Sequence, residues 1–147
     1  MQRLMTVRMW LALAVLALAG CNGTIGPFTQ RAYEQATSLK VEALTLMDKA
    51  IHPYAEHKAE VDALRLNIDK AYEYARGLPK NKVSTEQWQI LRDPGRNSIG
   101  GFLKRWETKD QLLPAFIEEA KPIVAKGFDM IIELESGKQK PDSTPGK

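Results

Sequence analysis

The side chains that most often carry acid–base, metal-binding or nucleophilic chemistry are few in this chain and poorly arranged for it. His52 and His57 are the only histidines, and they stand five positions apart on either side of Pro53, so they do not share a helical face. Glu118 and Glu119 are adjacent and would point in different directions from a helix. No HExxH, GxGxxG or P-loop pattern occurs. We therefore predict no catalytic residue, no metal site and no bound cofactor.

Cys21 is the single cysteine, and it follows a segment with the three-part order of a secretion signal. Arg3 and Arg8 form the basic start, and residues 9–19 are uninterruptedly apolar. This run is shorter than the roughly 20 residues that a membrane-spanning helix needs. The motif Leu18-Ala19-Gly20-Cys21 closes the segment and resembles the lipobox of bacterial lipoproteins.

The resemblance implies that Cys21 carries a thioether-linked diacylglycerol, that cleavage occurs before it, and that the new N-terminus is acylated, for example with palmitate. Asn22 follows the cysteine in place of the aspartate that retains many such lipoproteins in the inner membrane. This points to the periplasmic face of the outer membrane. The alternative is an ordinary secretory signal, or a buried apolar helix with a chance cysteine.

Composition divides the chain into four parts. Residues 1–20 are the cleaved signal, 21–28 are the acylated anchor and a short Gly/Pro-containing linker, and 29–136 form one domain. Residues 137–147 are polar and hold two prolines, which predicts a disordered tail. Without the signal the chain has 19 basic and 18 acidic side chains, so no nucleic-acid partner is expected.

Apolar residues recur at helical spacing throughout the domain, and no segment alternates as a strand does. The spacing predicts an all-α fold, a small helical bundle of three long or kinked helices plus one or two short helices. The first helix is expected over 29–51 with Thr29 as N-cap, and Pro53 opens the second, which Gly77 ends. Ser84 has the spacing of a capping box for a short third helix.

The second half of the chain is predicted to hold two more helices. Ser98 caps a segment over 99–109, and Asp110 is expected to open a last helix that extends to residue 135. Gly100 and Gly101 weaken the start of the 99–109 helix, and Pro122 should kink or split the last one.

Charge is unevenly distributed. Residues 76–109 carry a net charge of +5, whereas residues 110–136 carry −4. One interpretation is that the two regions attract each other across the bundle. The other is a basic surface for an anionic lipid, for lipopolysaccharide phosphate or for an acidic partner. The candidate residues of that surface are Arg92, Arg96, Lys104, Arg105 and Lys109.

Four large apolar residues follow helical spacing within this basic segment. They are Ile99, Phe102, Leu103 and Trp106. This stripe is typical of an interfacial amphipathic helix that lies in a membrane surface. It is equally typical of a helix that packs its apolar face into a core. The sequence leaves both alternatives open.

The expected function is that of a membrane-anchored envelope lipoprotein that acts as a non-catalytic interaction or binding module in the periplasm. Its partners would be the membrane, through acylated Cys21, and an envelope protein or an anionic lipid or lipopolysaccharide. The alternative is a small-ligand-binding bundle, with the ligand between the last helix and Trp88 and Trp106. A third hypothesis is a hydrolase whose motif has diverged beyond detection.

Overall fold

Thr29 caps the first helix, as the sequence predicts. In the computed structural model, which describes residues 25–138, helix α1 spans Gln30–Asp48, and the Thr29 Oγ1 accepts a hydrogen bond from the Ala32 N–H at 3.3 Å. The hydroxyl satisfies one of the N–H groups that the first turn leaves without a partner. The predicted signal, Cys21 and residues 139–147 lie outside the described residues.

Four further helices follow, and the prediction of an all-α bundle of three long or kinked helices plus one or two short helices is confirmed. A 3₁₀ turn, Lys49–Ile51, extends α1. The long helices α2 and α5 span Tyr54–Gly77 and Pro114–Ser136, and the short helices α3 and α4 span Lys82–Arg92 and Ile99–Lys109. Residues 25–138 contain no strand. None of the described helices combines the length and the apolar character that crossing a bilayer requires.

The helices close into an antiparallel bundle with four positions. Helix α1 packs against both α2 and α5, α3 packs against α2 and α5, and α4 follows α3 and packs on α2. Helices α3 and α4 therefore together take the place of one long helix in the bundle, and the turn at residues 93–98 separates them.

The two ends of the bundle are marked by backbone and side-chain hydrogen bonds. At the entry end, which comprises residues 26–30, 77–82 and 136–138, the Gly26 N–H donates to the Lys80 carbonyl at 2.8 Å. At the far end, which comprises residues 49–54 and 109–114, the Tyr54 N–H donates to the Asp110 carbonyl at 2.8 Å. Helices α1, α2 and α5 each extend from one end to the other.

The core consists of the apolar faces that the helical spacing predicts. Trp106 is fully buried, and its indole Nε1–H donates to the carbonyls of His52 and Asp110, each at 3.0 Å. Trp88 packs edge-on against Phe128, with ring centroids 6.1 Å apart. Burying a large apolar side chain contributes about 1.5–3 kcal/mol, so these rings help to hold the short helices against the bundle.

Two predicted caps are wrong. Helix α3 begins at Lys82, so Ser84 lies inside it, and its hydroxyl bonds to Glu135 rather than capping the first turn. Asp110 ends α4 instead of opening α5. Its φ of 64° stops the helix, and its Oδ1 accepts a hydrogen bond from the Tyr54 N–H at 3.1 Å. In both cases a contact with a distant helix replaces the local capping bond.

Pro122 does not split the last helix, which continues without interruption through it. A proline leaves the carbonyl four residues earlier without its helical donor. Here that carbonyl belongs to Glu118, and both Glu118 and Pro122 are exposed, so water can hydrate the freed group.

The folded domain extends beyond residue 136, where the sequence predicts that it ends. Lys138, which the sequence assigns to the tail, is only 6% exposed, and its ammonium group bonds inside the bundle. The folded unit therefore extends at least to Lys138.

Candidate functional site: a cationic groove

A surface groove of about 690 Å³ lies between the turn at 93–98, helix α4 and the first half of α5. Four basic side chains line it, and no Asp or Glu of residues 25–138 does. Its aromatic and aliphatic wall comes from Phe102, Phe116, Ala120 and Val124. The four basic residues are Arg96, Lys104, Arg105 and Lys109.

Two glycines allow the turn to fold tightly against α4. A Cβ at Gly100 would lie 2.5 Å from the Arg92 carbonyl oxygen, and a Cβ at Gly101 would collide with the carbonyl oxygen of Arg96. Only glycine permits so close an approach of the two backbone segments. The pair that the sequence analysis treats as a weakness of the helix therefore holds Arg96 beside the first turn of α4.

Side-chain bonds to Asp93 fix the turn from within. The Asp93 Oδ1 accepts from the Gly95 N–H at 2.8 Å, and the Ser98 hydroxyl donates to the Asp93 carbonyl at 3.3 Å. Asp93 also lies 3.6 Å from the Nε of Arg96, which remains 66% exposed. Arg96 is therefore positioned at the mouth of the groove while most of its side chain stays in solvent.

Two cations of the groove have no carboxylate partner among residues 25–138. The Arg105 guanidinium lies over the Phe116 ring, 4.3 Å from its centroid, and Lys109 is exposed. Stacking on an aromatic face orients a guanidinium without neutralising it. Lys104 is partly neutralised, since its Nζ donates a hydrogen bond to Glu107 at 3.4 Å. The groove thus retains net positive charge that an anionic ligand can neutralise.

Arg92 does not belong to the groove. Its Nη1 lies 2.8 Å from Asp69, and its guanidinium stacks 4.1 Å from the centroid of Tyr72. It lines a different depression of about 380 Å³. That depression also contains Arg65 and the carboxylates of Asp69 and Glu107, so positive and negative side chains are mixed there. The predicted surface of five residues is therefore corrected to four.

The proposed interfacial face is also corrected. All four residues of the stripe are buried, with exposed fractions of 0–4%. They pack into the core because α4 must cover α2 and close the bundle, so this face is not available to a membrane in the folded domain. The residues are Ile99, Phe102, Leu103 and Trp106.

No ion pair in the described part of the chain links the basic segment 76–109 to the acidic helix α5. Instead, α5 pairs with α1, where Lys40 lies 2.5 Å from Asp129 and Lys121 lies 2.6 Å from Asp48. The interpretation that the two charged regions neutralise each other across the bundle is therefore not supported by the contacts. The cations of the groove remain directed to solvent.

Glu107 lies between two cations, Lys104 and Arg65, and lines the depression that contains Arg92. Its burial acts to raise the pKa of the carboxyl, but the hydrogen bond from Lys104 and the charge of Arg65 outweigh this, so the pKa lies below its usual value of 4.5. The Arg65 Nη2 lies 3.3 Å from Glu107. Glu107 is therefore an anion at neutral pH, and it is already paired with Lys104 and Arg65 of this chain.

The two histidines approach each other at the far end of the bundle although they do not share a helical face. Their ring centroids lie 6.0 Å apart, and His57 Nδ1 lies 2.8 Å from Glu60. Across residues 25–138, no group of three or more His, Cys, Asp or Glu side chains is placed to hold a metal ion.

A buried polar cluster at the entry end was not predicted from the sequence. The Ser84 hydroxyl donates to Glu135 at 2.6 Å, and the Lys138 ammonium donates to Ser84 at 3.1 Å and to Asn81. Ser84, Trp88 and Leu91 lie on the buried face of α3, at spacings of four and three residues. This helical spacing could have predicted from the sequence that Ser84 is buried. Because these groups are buried, the cluster joins helices and does not face a substrate.

No protein-family model, no curated protein sequence and no solved structure matches this chain.

Proposed function

We propose that this protein is a lipid-anchored binding module of the bacterial envelope that captures an anionic partner in its cationic groove. The observation that supports this most directly is the composition of the groove. Arg96, Lys104, Arg105 and Lys109 line one concave surface, and Arg105 and Lys109 have no carboxylate partner among residues 25–138. Exposed cations that are held together without counter-charges are a recognition surface for a ligand of opposite sign.

The anchor in this proposal is Cys21. Its support is the lipobox-like motif Leu18-Ala19-Gly20-Cys21 after a basic and then apolar segment. Lipid chains add about 0.8 kcal/mol of membrane affinity per buried CH₂, so an acylated cysteine would hold the domain at a bilayer surface. Asn22 favours the outer membrane as the location, by analogy with other lipoproteins.

Binding is favoured over catalysis by the types of group in the groove. Guanidinium and ammonium groups attract and orient anions, but they do not readily exchange protons at neutral pH. The carboxylate and imidazole groups that are usual for such exchange do not line this groove among the described residues. Binding of a small ligand between the last helix and Trp88 and Trp106 has less support, because both rings are buried in the packed core.

The test is crosslinking in intact cells, with a photo-reactive residue at the exposed Thr108 beside the groove. We expect partner capture by the unmodified groove and its loss in the variant Arg105→Glu/Lys109→Glu. The matched control is Arg31→Glu/Lys70→Glu. Arg31 also stacks on an aromatic ring, 5.0 Å from the centroid of Tyr74, and lines a separate depression with Lys70.

Both double variants change the net charge by the same amount. Capture that is unaffected by reversal in the groove, or that is lost equally in the control, would overturn the proposed site. The anchor is tested separately by Cys21→Ala. We expect loss of acyl labelling and of membrane association, and labelling at the normal level would refute the anchor.

A further inference from the structure

Building on the proposed function, we infer that the ligand of the groove is an acidic polypeptide segment, bound in an extended conformation along α4. The inference rests on how the cations are spaced, on what forms the wall beside them, and on where the groove lies relative to the start of the described chain.

Three of the four groove cations, all except Lys104, are spaced as a row. Gly101, Arg105 and Lys109 follow each other at intervals of four residues on α4, and Arg96 contacts the backbone at Gly101. Four residues of helix advance about 6 Å, so Arg96 (whose backbone carbonyl lies against Gly101), Arg105 and Lys109 are spaced along a line of about 12 Å. Side chains on one face of an extended peptide recur every 6.6–6.8 Å, roughly the same interval. Acidic residues at alternate positions can therefore each meet one cation of the row.

A compact anion fits this arrangement less well. A single phosphate group is usually held by converging N–H donors at one point, as at a helix N-terminus or in a glycine-rich loop. The donors here are separate side chains spread along two turns. Their spacing favours a polymer that carries several charges.

The wall of the groove suits a polypeptide. Phe116 is half-buried, stacks on Phe102 with ring centroids 6.0 Å apart, and lies beneath Arg105. An extended peptide with acidic residues at alternate positions presents its carboxylates on one face and its other side chains on the opposite face. An apolar side chain of such a peptide can contact the Phe116 ring while its neighbours reach the cations.

The position of the groove argues against the anchoring membrane as the ligand. Along α5, Val124 and Phe116 lie 12 and 20 residues from Ser136 at the entry end, which corresponds to about 18 and 30 Å. Gly26 is bonded to Lys80 at that same end, and the five residue steps from Cys21 to Gly26 span at most about 18 Å.

With its entry end toward the bilayer, the domain holds the groove about 18–30 Å from that end along α5. The distance exceeds the roughly 8 Å over which charges act at physiological ionic strength. The groove then faces molecules that approach from the aqueous side.

The inference is tested with the full lipid-anchored chain in phosphatidylcholine vesicles and labelled peptides of equal length. One peptide carries Glu at alternate positions with Leu and Ser between them, a second carries the same residues with all Glu in one block, and a third has Gln in place of Glu. We expect the alternating peptide to bind at least tenfold more tightly than the Gln peptide and several-fold more tightly than the block peptide. Its affinity should fall as salt rises.

Arg105→Glu/Lys109→Glu should abolish this preference, and Arg31→Glu/Lys70→Glu should retain it. Lys109→Gln, which removes one charge at an exposed position, should weaken binding several-fold and serves if the double variant folds poorly. Equal affinity for the alternating and block peptides would overturn the inference that an extended peptide matches its acidic residues to the row of cations. Groove-dependent adhesion of added phosphatidylglycerol vesicles without peptide binding would overturn the polypeptide ligand.

The two proposals fail in different ways. If groove-dependent capture persists in cells while no acidic peptide binds, the polypeptide inference is wrong and the binding role stands. If capture in cells does not depend on the groove, the proposed function itself is wrong.

Discussion

The ammonium group of Lys138 lies 2.7 and 2.8 Å from the two carboxylate oxygens of Glu135, and both side chains are at most 2% exposed. Ser84 and Asn81 supply the remaining bonds to this ion pair, so it joins the end of α5 to the beginning of α3. A buried ion pair recovers the large cost of desolvation only when its remaining hydrogen-bonding positions are occupied. Here both partners also bond to neutral polar groups.

Removing one partner of this pair should destabilise the domain strongly. Lys138→Met leaves the Glu135 carboxylate buried without its cation, and we expect unfolding to become easier by about 3–5 kcal/mol. Glu135→Met/Lys138→Met removes both charges and should recover most of that loss. Urea unfolding followed by circular dichroism measures both values. A double variant as unstable as the single one would show that the pair itself, and not the orphaned charge, supplies the stability.

A methyl group at Gly101 should disrupt the turn that positions Arg96. The added Cβ would collide with a backbone carbonyl that cannot move independently, so Gly101→Ala should cost about 1–3 kcal/mol or more and weaken ligand capture. The control is Gly77→Ala at the last residue of α2, where nothing lies within 4 Å of the added Cβ. Thermal unfolding should separate the two, and similar melting temperatures would contradict the tight turn.

The two buried tryptophans should respond differently to replacement by phenylalanine. Trp106→Phe removes the donor that serves two carbonyls, whereas Trp88 has no indole hydrogen bond among the described residues. The Asp110 carbonyl keeps its bond from the Tyr54 N–H, but the His52 carbonyl loses the indole donor. A typical hydrogen bond contributes about 0.5–1.5 kcal/mol, so Trp106→Phe should be more destabilising than Trp88→Phe by about 1 kcal/mol. Denaturant midpoints of the two variants test this, and equal midpoints would refute the role of the indole N–H.

The pKa of the Glu60 carboxyl should depend on Lys49. The hydrogen bond from Lys49, and then that from His57, holds this pKa below its usual value of 4.5. Because the folded-state pKa is lowered, the stabilisation is present above about pH 4.5 and is lost as the pH falls through the folded-state pKa. Lys49→Ala should raise the pKa of Glu60, as measured by NMR titration of its carboxyl carbon. An unchanged pKa would show that His57 alone is sufficient.

Local patterns predicted most of the helices and part of the groove. Apolar spacing located four of the five helices, and the short helix α3 was placed by a capping box at Ser84 that does not form. Thr29 acts as the predicted cap because its bond is made within one turn. The basic segment contained the four groove residues, but Arg92 could not be separated from them by sequence. Its partner Asp69 lies 23 positions away on another helix.

The sequence by itself determined the helical class, the apolar face of each helix and the concentration of positive charge in one segment, because these depend on residues within a few turns of each other. Tertiary structure alone decided which cations share a concave surface, why Gly100 and Gly101 are needed, and that Lys138 lies inside the bundle. Each of these depends on where helices meet across the bundle. The packing of whole helical faces determines these contacts between helices, and the spacing of residues within one helix does not specify them.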